Sequence, residues 1–366
     1  MIEMKITVYK HEGNYDQKTC YVHARAATLS DGRLLITTQK LNVTGTDDFE
    51  GLEVLVASDG GAAVTPPERD QAFGRRVLCP GVECAECDST PMRLKASDMI
   101  LVIGHLAFYK DRHAPTHSFV NRGFYAVYDE KNARFLPTKP FSLSLGEEYL
   151  HGAPGCVQFY EREDGRLFIP FTIKKESSSL YEVIVFQFDF DGENLIEVAK
   201  SNVLSYPVAR GAYEPSIIFC DGKFILTVRN DTVGLYSTSI DGEHFSPLSP
   251  WCFDDGEVLE NYNTQQHFLA LDGNVYLVYT RKGANNDHVF RHRAPLFFAK
   301  IDTEHNCLIR KSEQIAVPER GARLGNFGVT NVSPDLAYLT VTEWMQPCGC
   351  EKYGSDNALF IVKFEN

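Results

Sequence analysis

The chain has 366 residues, 43% of them hydrophobic, and sets 36 Lys and Arg against 49 Asp and Glu for a formal charge of −13. That acidity argues against nucleic acid or an anionic membrane as the main partner, although a local cluster of arginines can oppose the global sign. No run approaches the ~18 apolar residues of a membrane helix, and the start reads as a strand without the signature of a secretion signal, so the expected location is cytoplasmic with no membrane partner.

In chain order, Ile6–Tyr9 reads as a first strand, expected to pair with the Ala358–Val362 stretch near the other end. Then six polar corners recur: Asp31-Gly32, Ser97-Asp98, Asp164-Gly165, Asp221-Gly222, Asp272-Gly273 and Pro334-Asp335. Each drops into an apolar run such as Leu34-Leu35-Ile36 or Phe224-Ile225-Leu226. Asp-Gly is a hairpin signal, because Gly tolerates positive φ and Asp bonds its own backbone. Each corner is followed by a second polar turn, from Ser58-Asp59-Gly60-Gly61 to Ser355-Asp356. Two hairpins per repeat, with corners roughly 50 to 67 residues apart, predict blades of four antiparallel strands. The expected architecture is all-β: one six-bladed β-propeller domain covering residues 1–366.

The segment from about Thr65 to Pro91, rich in Pro, Cys and charge, reads as a long loop. It holds Cys79, Cys84 and Cys87, two of which have zinc-knuckle spacing without an evident fourth ligand, so structural zinc and plain surface thiols both stay open. Cys156, Cys220 and Cys307 sit in apolar contexts where free Cys behaves as a small hydrophobe. No cofactor is expected, and no metal is assigned.

In a propeller, residues entering the first strand of each blade face the central pocket. Here they include Arg25, His151-Gly152-Ala153-Pro154-Gly155-Cys156, Tyr213-Glu214, Asn261 to His267 and Gly325 to Asn331. Tight packing at a crowded axis explains the Gly and Ala. It does not explain Arg25, Glu214 and Gln265 aimed at one place. Further on, Asn285 to Arg293 gathers His288, His292, Arg291, Arg293 and Asp287. Read as a strand, it puts His288 with His292 on one face and Arg291 with Arg293 on the other. His151 and His288 can do acid or base work or bond sugar hydroxyls.

These segments resemble the sialidase (neuraminidase) superfamily. Arg25-Ala26-Ala27, leading to Asp31-Gly32, looks like its Arg-Ile-Pro motif and following corner. Glu214-Pro215-Ser216, running on to Arg229-Asn230, looks like the segment of its active-site Glu and second Arg. Arg293-Ala294-Pro295 resembles the stretch of its third Arg. Ser58-Asp59-Gly60-Gly61 and Ser239 to Phe245 resemble shortened Asp-box turns. The resemblance implies that Arg25, Arg229 and Arg293 grip a sugar carboxylate, for which planar guanidinium forks are suited. It also implies an acid at Asp47 or Asp48, of which Asp48 is taken. The place of the family's nucleophilic Tyr falls on Phe327, which has no hydroxyl. Tyr262 is then the replacement, or Glu214 activates water for inversion. The expected activity is exo-acting hydrolysis of a glycoside of a sialic or uronic acid. A lyase acting on uronate oligosaccharides and a non-catalytic sugar-binding propeller are the alternatives. The expected partner is an anionic sugar or oligosaccharide, with a homo-oligomer possible.

Overall fold

The computed structural model describes residues 4–45, 47–111, 114–115 and 120–366. All regular structure among them is β apart from short 3-10 turns. The six corners each join two antiparallel partners, as their chemistry predicts. Thr19–Thr28 thus pairs with Leu34–Asn42 across Asp31-Gly32, and Tyr213–Cys220 with Lys223–Arg229 across Asp221-Gly222. The units that follow are meanders such as Tyr213–Cys220, Lys223–Arg229, Gly234–Ser239 and Ser249–Pro250. In the sixth, Gly328–Ser333, Leu336–Thr342 and Leu359–Glu365 are completed by Lys5–His11, with Val8 opposite Val362. The N-terminal strand therefore pairs with the chain's end as expected. Ser355-Asp356 accordingly lies between the second and third strands of its unit, because the fourth arrives from the other terminus.

One expectation is corrected. The stretch 65–91 is not a long loop: it carries Glu68–Arg69 and Arg76–Cys79, and Val82–Arg93 is the first strand of the second unit. Cys84, Ala85 and Cys87 are buried there as small apolar residues, and the buried Glu86 is ion-paired with Arg76. Thiols and carboxylates hid an ordinary strand.

Apolar side chains fill the spaces between successive units. Phe168 of the third meets Phe224 of the fourth with ring centroids 4.4 Å apart. Leu269 and Phe298 of the fifth pack with Leu339 and Val362 of the sixth, and Tyr338 and Ile361 of the sixth pack with Ala26 and Ile36 of the first. Each fully buried Phe or Leu contributes roughly 1.5–3 kcal/mol, so these seams dominate stability.

The first strands are also cross-linked in order. Arg25 donates from Nη1 to Ser89 O (3.2 Å), Thr90 Oγ1 to Val157 O (2.8 Å), and Gln158 N to Ser216 Oγ (3.1 Å). Ser216 Oγ lies 2.8 Å from His267 Nδ1, Ala270 N donates to Asn331 Oδ1 (2.9 Å), and Thr330 Oγ1 returns to Ala26 O (2.7 Å). The sequence of contacts runs from the first unit through the sixth and back to the first.

His267 is locked in this chain, its Nε2 3.1 Å from Gln265 Oε1. Burial, then the charge of Arg25, holds its pKa well below the ordinary value. The folded protein therefore keeps it neutral while the unfolded chain protonates it near pH ~6.5. Its stabilisation is full above that value and is lost as pH falls below it, by up to about 1.4 kcal/mol per unit. Between pH 7 and 5 the thermal midpoint of wild type should fall more steeply than that of His267→Gln; parallel profiles would refute the assignment.

Candidate functional site

Five of the six units carry a left-handed residue within the first strand or just before it. His23, Asp88, Cys156, Glu214 and Asn263 all have left-handed backbones, with φ of 59°, 53°, 59°, 47° and 54°. Strand register shifts at three of them, between Val22 and Arg25, Cys87 and Thr90, and Tyr213 and Ser216. Such bulges re-aim side chains, and a non-glycine residue with positive φ stores strain that clusters at functional sites. Five successive units thus present an imidazole, a carboxylate, a thiol, a second carboxylate and an amide.

Behind this rim lie the three arginines. Arg25 is 1% exposed and donates to Phe327 O (3.2 Å), Ser89 O and Gln265 Oε1 (3.1 Å). Arg293 is 3% exposed and donates from Nη1 to Asn326 Oδ1 (3.2 Å) and from Nη2 to Asn263 O (2.5 Å), its Nε unpartnered. Arg229 pairs with Glu214 at 2.5 Å and bonds Asn263 Oδ1. Asn263 thus ties Arg229 to Arg293, and Gln265 anchors Arg25. Among the described residues, no carboxylate forms an ion pair with Arg25 or Arg293. Burial, reinforced by the charges of Arg229, Arg323 and Arg291, pushes Arg293 well below the ordinary arginine pKa. Burial likewise brings Arg323 down to about 10. Around Arg229 burial opposes the charge, but Glu214 overcomes it and raises the pKa.

The acids divide. Asp48 is 2% exposed, with its carboxylate on Arg75 Nη2 (2.6 Å) and Asn42 Nδ2 (3.0 Å). Asp47 is exposed on a left-handed turn (φ 51°) held by Tyr109 Oη on Asp47 O (3.0 Å), and its charge acts on Arg323 and His105. Asp88 lies between two imidazoles, Oδ1 2.8 Å from His23 Nδ1 and Oδ2 3.3 Å from His105 Nδ1. Burial disfavours its charge, yet His23, His105 and Arg25 hold its pKa well below the carboxylate range.

Other sequence candidates lie elsewhere or at the edge. Tyr262 packs on His292 (5.8 Å between centroids) and under Lys282, and no hydrogen bond joins it to Glu214. His151 faces the rings of His105 (6.5 Å) and Tyr181 (5.8 Å). His288 is bonded to Glu319 (2.8 Å) and packs on Tyr353, joined by no contact to the three arginines. Phe327 is fully buried edge-on to His267. The strand expected over 285–293 is corrected to a turn, with Phe290–His292 a 3-10 segment and both Arg291 and His292 left-handed. Buried Asn286 causes it: Nδ2 donates to Arg281 O, His292 O and Ala294 O, curling the segment onto one side chain.

His23, Asp88 and Cys156 each bring one ligand atom within 4.8 Å of the others, a set that could hold a borderline metal ion. The surroundings fit one poorly. Arg25 acts on both the thiol and the carboxylate, and Asn326, oriented by Arg293, donates to His23 Nε2 (2.9 Å) and leaves the proton on Nδ1. Cys79, Cys84 and Cys87 form no such group among the described residues.

His23, Asp88, His105 and Arg323 escaped the sequence reading, which held Asn263 and Asn326 only as members of pocket-facing segments; the available signal was spacing, with His23, Asp88, Asn263 and Asn326 each two residues before Arg25, Thr90, Gln265 and Gly328. No protein-family profile and no curated protein matches the chain. Solved structures do. A protein of unknown function from Dyadobacter fermentans aligns with TM-score 0.68 and 13% identity over 100% of both chains. The Hadza microbial sialidase Hz136 aligns with TM-score 0.66 and 10% identity, over 93% of this chain and 65% of its own. The NanB sialidase of Streptococcus pneumoniae gives 0.65 and 13%, over 96% and 70%. The chain has a sialidase-like fold.

Proposed function

We propose that this sialidase-like chain closes as a six-bladed β-propeller and hydrolyses a glycosidic bond of a carboxylate-bearing sugar, sialic or uronic. Ring closure is supported by the cyclic order of cross-links between first strands and by Lys5–His11 completing the last sheet. The observation that carries the function is the pair Arg25 and Arg293. Both are buried, and among the described residues both bond backbone, amide or thiol groups and neither forms an ion pair with a carboxylate. A buried guanidinium without a carboxylate costs several kcal/mol, roughly, and an incoming carboxylate removes that cost. A chain with net charge −13 thus gathers buried positive charge at one interior place, where Asp88 and Glu214 act on these two arginines without pairing to them. Each guanidinium retains free N–H groups for a ligand.

The leaving oxygen is protonated by Asp47, whose side chain is free of the Arg75 pair that holds Asp48. No tyrosine hydroxyl bonds Glu214 among the described residues, so a tyrosyl intermediate is not part of this reading. Water attacks instead, with inversion. The test is a panel of aryl sialosides, aryl glucuronides and neutral aryl glycosides. Turnover confined to the anionic members is expected; failure to cleave any of them would overturn the reading.

A further inference from the structure

We propose that His105 accepts the proton of the attacking water, held in position by Asp88 and Gly155. This rests on the hydrolytic reading above. The Asp88 carboxylate serves two imidazoles, and they differ in what lies at their far nitrogen. His23 is a closed end: it is 3% exposed, and its Nε2 takes a hydrogen bond from Asn326 Nδ2. Arg293 can only donate, so its bond to Asn326 Oδ1 fixes which way that amide faces. His105 is open: its side chain is 18% exposed, and no described residue hydrogen-bonds to its Nε2. With Nδ1 turned to the carboxylate, the proton sits there and the lone pair is on Nε2, the tautomer of a base oriented by an acid.

The position is built. A Cβ on Gly155 would lie 2.3 Å from His105 Nδ1 and 3.2 Å from Cγ and Cε1, so any side chain there evicts the ring. Asp88 is fixed by its own backbone, with N–H on Gln39 Oε1 (3.1 Å) and O accepting from Cys156 N (3.1 Å). Glu214, the other basic group near the arginines, is committed to Arg229 at 2.5 Å. The charged and titratable groups around His105 are Asp88, His23, Glu214, Asp47 and His151, whose ring lies 6.5 Å away; burial lowers its pKa and Asp88 opposes that, which leaves it neutral at neutral pH.

In the step, Nε2 takes a proton from water while the water oxygen bonds to the anomeric carbon. The glycosidic C–O bond breaks, and its oxygen takes the proton of the Asp47 carboxyl. Imidazolium and carboxylate then exchange one proton through solvent, restoring both groups.

Long-range proton–nitrogen NMR of histidine-labelled protein tests the arrangement without any substrate. Wild type should show His105 protonated on Nδ1 with bare Nε2, and Asp88→Asn should lose that preference. A proton found on Nε2 overturns the proposal, whichever sugars are cleaved. On any anionic aryl glycoside that turns over, His105→Gln and Gly155→Ala should each lower kcat by about 10²-fold or more with KM little changed. In both, the acid limb of the pH profile should disappear, and added imidazole should restore part of the activity of His105→Ala. Activity within threefold of wild type, or an acid limb that persists, overturns it. An unsaturated uronate product would instead overturn the hydrolytic reading and leave the tautomer result to decide the fate of His105 as a proton acceptor.

Discussion

Arg293→Met is expected to raise the thermal midpoint of the free protein while removing its affinity for sugar acids. The two effects share a cause. Arg293 lies 3% exposed, its Nε has no partner, and Arg229, Arg323 and Arg291 all act on it with like charge. Its stem is packed along Gly325 and Thr264, a trench that methionine can fill. Replacing a buried ion with an apolar residue of similar volume stabilises by about 1–4 kcal/mol, here about 1–5 °C. Loss of one charge-assisted fork to a carboxylate should weaken binding by about 10²-fold or more. Glucuronate or N-acetylneuraminate should therefore raise the midpoint of wild type and leave that of the variant unmoved. Arg229→Met provides the contrast: it strips Glu214 of its partner at 2.5 Å and should lower the midpoint. A destabilised Arg293→Met that still responds to sugar acids would show that this arginine is structural.

Much of the fold was legible because its signals are local. An Asp-Gly corner forms its turn by its own chemistry, so Asp31-Gly32, Asp164-Gly165 and Asp221-Gly222 needed no knowledge of the rest of the chain. Arg25, Glu214 and Gln265 stood out because polar residues stand where a strand would carry Val or Ile, whereas Arg229 was singled out through the resemblance alone. What escaped was set by distant contacts. His23 and Asp88 adopt left-handed backbones without Gly, at register shifts within their strands. The alternation of His288 to Arg293 imitated a strand, whereas the buried amide of Asn286 bonds three carbonyls and makes a turn. Adjacent Asp47 and Asp48 cannot be ranked from sequence, because the deciding partner, Arg75, lies 27 residues beyond Asp48.

That last distinction yields an expected result of large size. Asp47→Asn should cut kcat by about 10²–10³-fold on a glycoside whose leaving group needs a proton, and far less on an activated nitrophenyl glycoside, since only the former depends on a general acid. Folding should be unaffected, because the side chain is exposed and the turn is held by backbone bonds to Tyr109 and by Gln346 Nε2 on Val43 O (2.7 Å) and Gly45 O (2.6 Å). Asp48→Asn should do the reverse. It removes the charge facing Arg75, itself stacked 3.9 Å over the ring of Tyr109, and leaves a largely buried guanidinium without its closest carboxylate. The expected outcome is a stability loss of about 3 kcal/mol, with kcat on the surviving folded protein reduced less than tenfold. The leaving-group dependence is the discriminating measurement, since a misfolded variant loses activity on both substrates alike. If Asp48→Asn instead shows the selective loss on the poor leaving group, the acid is Asp48, and Arg75 must release it when the sugar binds.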